Sequence, residues 1–328
     1  MGVLVTGGAG YIGSHMLLSL LDAGEDVTVI DNLSTGFDSA VPDSARLVVG
    51  DIGDTDLLQK VFAQTDIDAI IHFAGSIVVP ESVREPLHYY QNNTCRSRTF
   101  IEAAVAAGVK HLIFSSTAAV YGVPEVNPVF EDAQLIPVSP YGNSKMMVEI
   151  MLRDVAAAHD LRYVVLRYFN VAGADPQLRG GQSTAQATHL IKVAAQAAVG
   201  LRPHLEVFGY DYLTPDGTCI RDYVHVTDLV RAHLAALSHL RRGGGSDVLN
   251  CGYGRGFSVL QVIEAVKRVS GVDFPVRKSS RRPGDPAILI AGAERIKTVL
   301  GWRPELDDLD TIVAHALAWE QGIKDATA

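Results

Sequence analysis

A parallel α/β sheet wound on both faces by helices is the fold that this 328-residue sequence predicts. Three observations carry the expectation. Short β-branched runs alternate with helical stretches through the first half of the chain. A glycine-rich turn, TGGAGYIGS, follows the first run, and an aspartate, Asp31, closes the second. Ligands of such sheets gather outside the carboxyl ends of the strands, and both features fall there.

Residues 3–6, 26–30, 47–49, 69–73, 111–115 and 163–167 read as strands, with helices such as 13–23 and 94–107 between them. After Asn170 the rhythm weakens. Residues 174–187 form a polar, glycine-containing loop, 189–199 a helix, and shorter elements continue to the end. RRGGGSD at 241–247 reads as a flexible break. The expected architecture is a Rossmann-type doubly wound parallel sheet over residues 1–170. A smaller C-terminal α/β substrate domain occupies 171–328, and a helix near 227–240 returns to the first domain. No internal repeat or long low-complexity tract interrupts this plan.

Composition narrows the function. Lys and Arg total 28 against 37 Asp and Glu, a formal charge of −9, which argues against a sequence-independent nucleic-acid binder. Cys95, Cys219 and Cys251 stand far apart without C-x-x-C spacing, as reduced thiols in a cytoplasmic protein do. The chain opens directly on a strand, so no signal peptide is expected, and no apolar stretch is long enough to span a membrane. The eleven His residues lack metal-site spacing, so no metal is expected, and His72 in its apolar strand reads as structural.

Gly7, Gly10 and Gly13 sit where the backbone must turn tightly, admit a pyrophosphate and pack a helix against the sheet. Asp31 is placed to accept hydrogen bonds from both adenosine-ribose hydroxyls. It also repels the 2′-phosphate of NADP, and Asn32 offers no compensating arginine, so the predicted cofactor is NAD. Asp51 closes the third strand and is placed to meet adenine. The spacing G-x-x-G-x-x-G resembles that of the short-chain dehydrogenase/reductase family. Further on, SPYGNSKMMVE puts Tyr141 and Lys145 four residues apart, on one face of a helix. A phenol with an ordinary pKa of ~10 needs a cation beside it to act as a base near neutrality. Ser115, Ser116 and Thr117 end the strand before that helix, and the Thr117 hydroxyl is the candidate proton relay. Capping of the strand end is the competing reading for the two serines.

TGGAGYIGSH, DNLSTG, GDI, IHFAG, FSSTAAVYG, SPYGNSK, LRYFNVAGA, FGYDYLTPDGT, RDYVHVTDL and RRPGDPA occur in that order over nearly the whole chain. Together they resemble the UDP-glucose (UDP-galactose) 4-epimerase family of extended short-chain dehydrogenases/reductases. The resemblance implies that Tyr11, Ile12, Asn32, Ile52, Phe73, Ala74, Gly75, Asn92, Ser115 and Tyr168 join Gly7, Gly10, Gly13, Asp31, Asp51 and Lys145 around NAD. It implies that Asn170, His189, Leu190, Phe208, Arg221, Arg282 and Asp285, with Thr117 and Tyr141, hold a UDP-sugar. Two arginines are suitable partners for its diphosphate, whereas Arg281 reads as a surface ion-pairing residue.

The implied reaction inverts carbon 4 of a UDP-hexose through a 4-keto sugar, with NAD retained and regenerated, in a homodimer joined through helices near 94–107 and 143–158. Two departures stand out: Thr117 where the family often has Ser, and Ser76-Ile77 where some members carry Lys beside the nicotinamide. A 4,6-dehydratase is rejected because Ala118 and Ala119 occupy the places of its acid pair. A UDP-N-acetylglucosamine or UDP-pentose 4-epimerase, and a non-catalytic nucleotide-sugar sensor, are the other readings. Leu289 either borders the sugar, leaving room for an N-acetyl group, or is simply a buried strand residue.

Overall fold

Strands buried on both faces read as near-continuous apolar runs, and helices must then cover both sides. The computed structural model describes residues 2–184, 187–282 and 284–327. Its main sheet contains β1 (Gly2–Thr6), β2 (Asp26–Asp31), β3 (Arg46–Val49), β4 (Ile67–His72), β5 (His111–Thr117) and β6 (Arg162–Tyr168). Further strands are β7 (Asn170–Ala172), β8 (Leu205–Phe208), β9 (Ile220–His225), β10 (Asp247–Cys251), β11 (Gly256–Ser258), β12 (Val276–Ser279) and β13 (Ile288–Leu289). Helices in chain order are α1 (Tyr11–Asp22), α2 (Thr55–Gln64), α3 (Val79–Arg84), α4 (Pro86–Tyr89), α5 (Arg96–Ala106) and α6 (Pro140–Ala158). They continue with α7 (Leu190–Ala198), α8 (Val226–Arg241), α9 (Val259–Ser270), α10 (Glu294–Leu300) and α11 (Leu309–Thr327).

The seven-stranded sheet runs β10-β6-β5-β4-β1-β2-β3, parallel throughout. Successive side chains alternate between its faces, as the pleat requires. Val3, Val5, Ala69 and Ile71 pack with Met16 and Leu20 of α1 and Leu229 and Leu237 of α8. Leu4 and Ile70 pack on the other face with Leu58 of α2, Phe100 of α5 and Val148 and Leu152 of α6. A second core lies between α7, α9 and α11, where Ile191, Val262, Val266, Ile312 and Val313 meet. Beside it β7, β9, β11 and β13 form a four-stranded sheet, and β8 pairs with β12.

The six expected strands lie within two residues of their observed bounds, with Phe73 just beyond β4. Several other expectations need correction. The expected 94–107 helix is α5, but residues 94 and 95 belong to a π-helical turn over 90–95 that leads into it. The stretch 241–247 is a short connection, not a loose break, because Arg241 is clamped by Glu25 at 2.6 Å and Asp68 at 2.8 Å. It delivers β10 to the edge of the first sheet, next to β6. The chain does not end only in short elements: α11 is 19 residues long, the length of α6. The expected 174–187 loop includes residues 185 and 186, which lie outside the described residues; within it Arg179 pairs with Asp175 and Asp22, each at 2.9 Å. Among the described residues, no helix is long and apolar enough to cross a membrane.

Candidate active site

The glycine turn lies where β1 hands the chain to α1. Gly7 has φ +71°, and a Cβ there would stand 2.7 Å from the Ala74 nitrogen. A Cβ on Gly13 would stand 2.1 Å from the Gly7 carbonyl oxygen, so neither position admits a side chain. Gly10 caps α1 without any side-chain hydrogen bond, and no acidic residue occupies the first turn. Tyr11 and Ile12 open this helix, whose free N–H groups and positive pole form a ready anion site. The Tyr11 hydroxyl donates to the Gly173 carbonyl at 2.7 Å, tying the turn to the chain after β7.

Asp31, 9% exposed at the end of β2, aims its carboxylate at this turn. One oxygen accepts from the Ala9 N–H and the other from the Leu33 N–H, each at 2.9 Å, leaving further lone pairs for a diol. Asn32 donates to Asp51 at 3.4 Å, and Asp51 also accepts from the Gly53 N–H at 2.8 Å. Arg96 from α5 pairs with Asp51 at 3.1 Å and donates to the Asn92 side-chain oxygen Oδ1. Ile52 is buried beside them. This cradle of bare backbone, uncapped helix end and oriented carboxylate fits a dinucleotide.

At the next strand end, Phe73 packs against His233 of α8 with ring centres 4.9 Å apart, and the Ala74 N–H donates to the Thr6 hydroxyl at 3.3 Å. Asn92 donates to the Ser76 hydroxyl at 2.9 Å. Its neighbour Asn93 does more than the sequence reading assigned. Buried, it accepts from the Ser76 N–H at 2.7 Å, and it donates to the Ser76 carbonyl at 2.9 Å and the Ser144 hydroxyl at 3.0 Å. It thereby fastens the turn holding Gly75 to α6. The adjacent asparagine pair was the only sequence signal for it. His72 is bonded on both ring nitrogens, to Thr6 at 2.6 Å and Ser97 at 2.9 Å, and burial pushes it down to about 3.

Helix α6 starts one residue before Tyr141, capped by Ser139, whose hydroxyl accepts from the Gly142 N–H at 3.1 Å. Tyr141 thus stands in the first turn, at the positive pole. It is 8% exposed; burial raises its pKa above 10, and a hydrogen bond with Thr117 opposes the rise. Thr117 also accepts from the Ala119 N–H at 3.1 Å, capping the turn that follows β5 beside its contact with Tyr141. Ser115 lies 3.3 Å from His233 Nε2, with Tyr168 as a further partner.

Lys145 Nζ donates to the Ser115 carbonyl at 3.1 Å and lies 4.9 Å over the Phe114 ring. Burial pushes it down to about 8, with Glu149 acting in the opposite direction. Its ammonium therefore faces the strand, near Gly75, where an added Cβ would lie 3.6 Å from Nζ.

The expected substrate residues come from the second half. Asn170 starts β7; His189 caps α7, its Nδ1 2.8 Å from Gln182, and burial lowers its pKa. Leu190 follows, and all three line one small cavity with Lys192, Tyr223 and Glu320. Arg221 on β9 reaches Asp285 at 2.5 Å and the Pro286 carbonyl at 2.6 Å. The Arg282 guanidinium lies 4.0 Å over the Phe208 ring, and Arg281 pairs with exposed Asp211 at 2.6 Å. Pro283, within the same RRPGDPA segment, lies outside the described residues. Leu289 is the register partner of Arg221 and belongs to the main core. Among the described residues no group of three or more His, Cys, Asp or Glu could hold a metal.

A glycine turn, an aspartate aimed at it and a Tyr–Lys helix at the carboxyl edge of one parallel sheet define a dinucleotide-dependent enzyme site. The chain belongs to the NAD dependent epimerase/dehydratase family, whose model matches residues 3–252. It is 59% identical over 98% of its length to a UDP-glucose 4-epimerase from Azospirillum brasilense, 92% of which is covered. It is also similar to the UDP-glucose 4-epimerase from Bifidobacterium longum crystallised with NAD+ and UDP (38% identity, TM-score 0.94, 99% of both chains). The UDP-Glc/GlcNAc 4-epimerase from Campylobacter jejuni is 48% identical, with a TM-score of 0.85 over 98% of this chain and 99% of that one.

Proposed function

We propose that this protein is an NAD-dependent UDP-hexose 4-epimerase interconverting UDP-glucose and UDP-galactose through a 4-keto sugar. The observation that carries the reading is the Tyr141–Thr117 hydroxyl pair at the carboxyl end of β5, one helical turn from buried Lys145. Ala118 and Ala119 follow Thr117, so no carboxyl stands there to eliminate water.

NAD, when bound in this cradle, would supply a reversible two-electron acceptor for carbon 4 and a positive charge in its oxidised form. The chain's own groups do the rest. Tyr141 takes the proton of the 4-hydroxyl, passed by Thr117, and returns it to the 4-oxygen once the keto sugar has turned its other face toward the cofactor side. Lys145 favours the phenolate through its charge. Gly7, Gly10 and Gly13 admit the pyrophosphate and Asp31 the adenosine ribose. Arg221 and Arg282 anchor the UDP diphosphate, with Phe208 beside the base. Nucleotide anchoring lets the sugar turn without leaving.

Incubation with UDP-galactose and separation of the products tests the reading. UDP-glucose is expected, and unchanged substrate contradicts it. UDP-N-acetylgalactosamine and UDP-arabinose belong in the same assay, since Leu289 lacks the bulk of an aromatic residue.

Asp31→Ala is expected to weaken NAD about tenfold or more and to relax its preference over NADP, because an acceptor and a repulsive charge disappear together. Equal binding of NAD and NADP by the wild type would refute this role.

The reading includes a homodimer. Val83, Leu87, Met147 and Ile150 leave apolar side chains exposed on the adjoining helices α3, α4 and α6. Light scattering is expected to give twice the 35.2 kDa chain mass, and the mass of a single chain would contradict it. Cys95, Cys219 and Cys251 are all free thiols, which suits the cytoplasm.

A further inference from the structure

Helix α6 carries a third polar residue in line with Tyr141 and Lys145. Glu149 lies one turn beyond the lysine on the same face, and only 6% of it is exposed. Arg167 on β6 grips it, with Nε at 3.1 and 3.2 Å from the two carboxylate oxygens and Nη2 at 2.6 Å from one of them. The hydroxyl of Ser116, next to Thr117 on β5, donates to the same carboxylate. Arg167 continues inward, donating to the Tyr121 hydroxyl at 2.9 Å and the Glu131 carbonyl at 3.2 Å. Tyr121 in turn donates to Asn250 of β10 at 2.7 Å. A pair this dry is expensive to bury, and well-packed apolar side chains often hold a core as well. Its place beneath the candidate base suggests a second use.

We propose that Glu149 is a positioning residue for the Tyr141–Lys145 pair. It locks the end of β5 to α6 through Ser116 and holds a negative charge one turn below the lysine ammonium. The inference rests on the reading of Tyr141 as the base.

The surroundings of the pair are sparse in opposing charge. Lys145 meets the Ser115 carbonyl and the Phe114 ring from β5, and its charge adds to the burial that keeps His72 of β4 neutral. Tyr168 of β6 and Tyr89 of α4 face Tyr141, and Tyr89 donates to Glu81 of α3 at 2.7 Å. His233 of α8 meets Ser115. Glu149 is the group whose field holds the lysine protonated against its burial. Ser116, adjacent to Thr117, fixes where the relay hydroxyl stands.

Glu149→Gln keeps the shape and removes the charge. The Tyr141 phenolate is titrated by ultraviolet difference absorbance, subtracting Tyr141→Phe in the matching background, beside the pH profile of kcat. Both midpoints are expected to rise together by about one pH unit, costing about tenfold in turnover at neutral pH. KM should change by less than about twofold, and Glu149→Asp should bring the midpoint back. An unmoved midpoint in folded Glu149→Gln overturns the proposal. If that variant does not fold, Ser116→Ala carries the test, since it leaves the ion pair intact. A kcat lowered about tenfold at unchanged KM and Tm supports positioning, and wild-type kcat overturns it. The absorbance titration needs no turnover. A wild-type protein without epimerase activity whose Tyr141 midpoint still responds to Glu149 would refute the epimerase reading alone.

Discussion

Tyr141→Phe is expected to lose about a thousandfold in turnover while still binding NAD and UDP-sugar. The substitution removes one oxygen from a side chain that is already packed: Tyr141 is 8% exposed and its ring meets Tyr89 edge-on at 6.5 Å. Phenylalanine fills the same space, so the helix start, its Ser139 cap and the lysine one turn on stay in place. What disappears is the acceptor for the 4-hydroxyl proton and the partner of Thr117. The loss should therefore fall on kcat, with KM little changed. Activity within about tenfold of wild type would remove Tyr141 as the base.

Lys145→Met is the second large effect, about a hundredfold in kcat, and it should carry a pH signature. Burial already drives the phenol above its ordinary pKa, so the phenolate depends on nearby positive charge. Removing the ammonium raises the phenol further. The fraction of phenolate at a given pH falls, and the ascending limb of the pH–rate profile moves to higher pH. Cofactor retention should weaken too, because Lys145 stands within reach of the opening at Gly75, where an added Cβ would lie 3.6 Å from Nζ. A profile unchanged in position would contradict the coupling.

The main sheet was legible because its strands announce themselves by local pattern. Leu4 and Val5 are adjacent in sequence and point into different cores, and alternation of that kind needs no distant information. The glycine turn and Asp31 were legible for a related reason: only glycine fits at Gly7 and Gly13, and a carboxylate at the end of β2 has few structural uses. What escaped was non-local. β10 joins β6 across more than eighty residues, and the RRGGGSD composition that suggested a loose break gave no hint of the Arg241 clamp to Glu25 and Asp68.

The site divides in the same way. Tyr141 and Lys145 share a helix, so their spacing places them. Arg221 and Asp285 lie far apart in the chain and meet at 2.5 Å only after β13 pairs with β9. Arg282 over Phe208 is likewise a contact between separate elements. Asn93 and Arg96 were hidden because one π-helical turn before α5 decides which side of the helix each faces. Glu149 was visible as the next step of a four-residue repeat. Its partners Arg167 and Ser116 come from two neighbouring strands.

The most direct measurement follows the hydrogen on carbon 4. UDP-galactose carrying deuterium at that position is incubated with the purified protein in ordinary water, and the product is examined by mass spectrometry and NMR. The account predicts UDP-glucose with carbon 4 inverted and the deuterium fully kept there, because an internal oxidation and reduction never releases it to solvent. Inversion with the deuterium washed out, or no inversion at all, would contradict it.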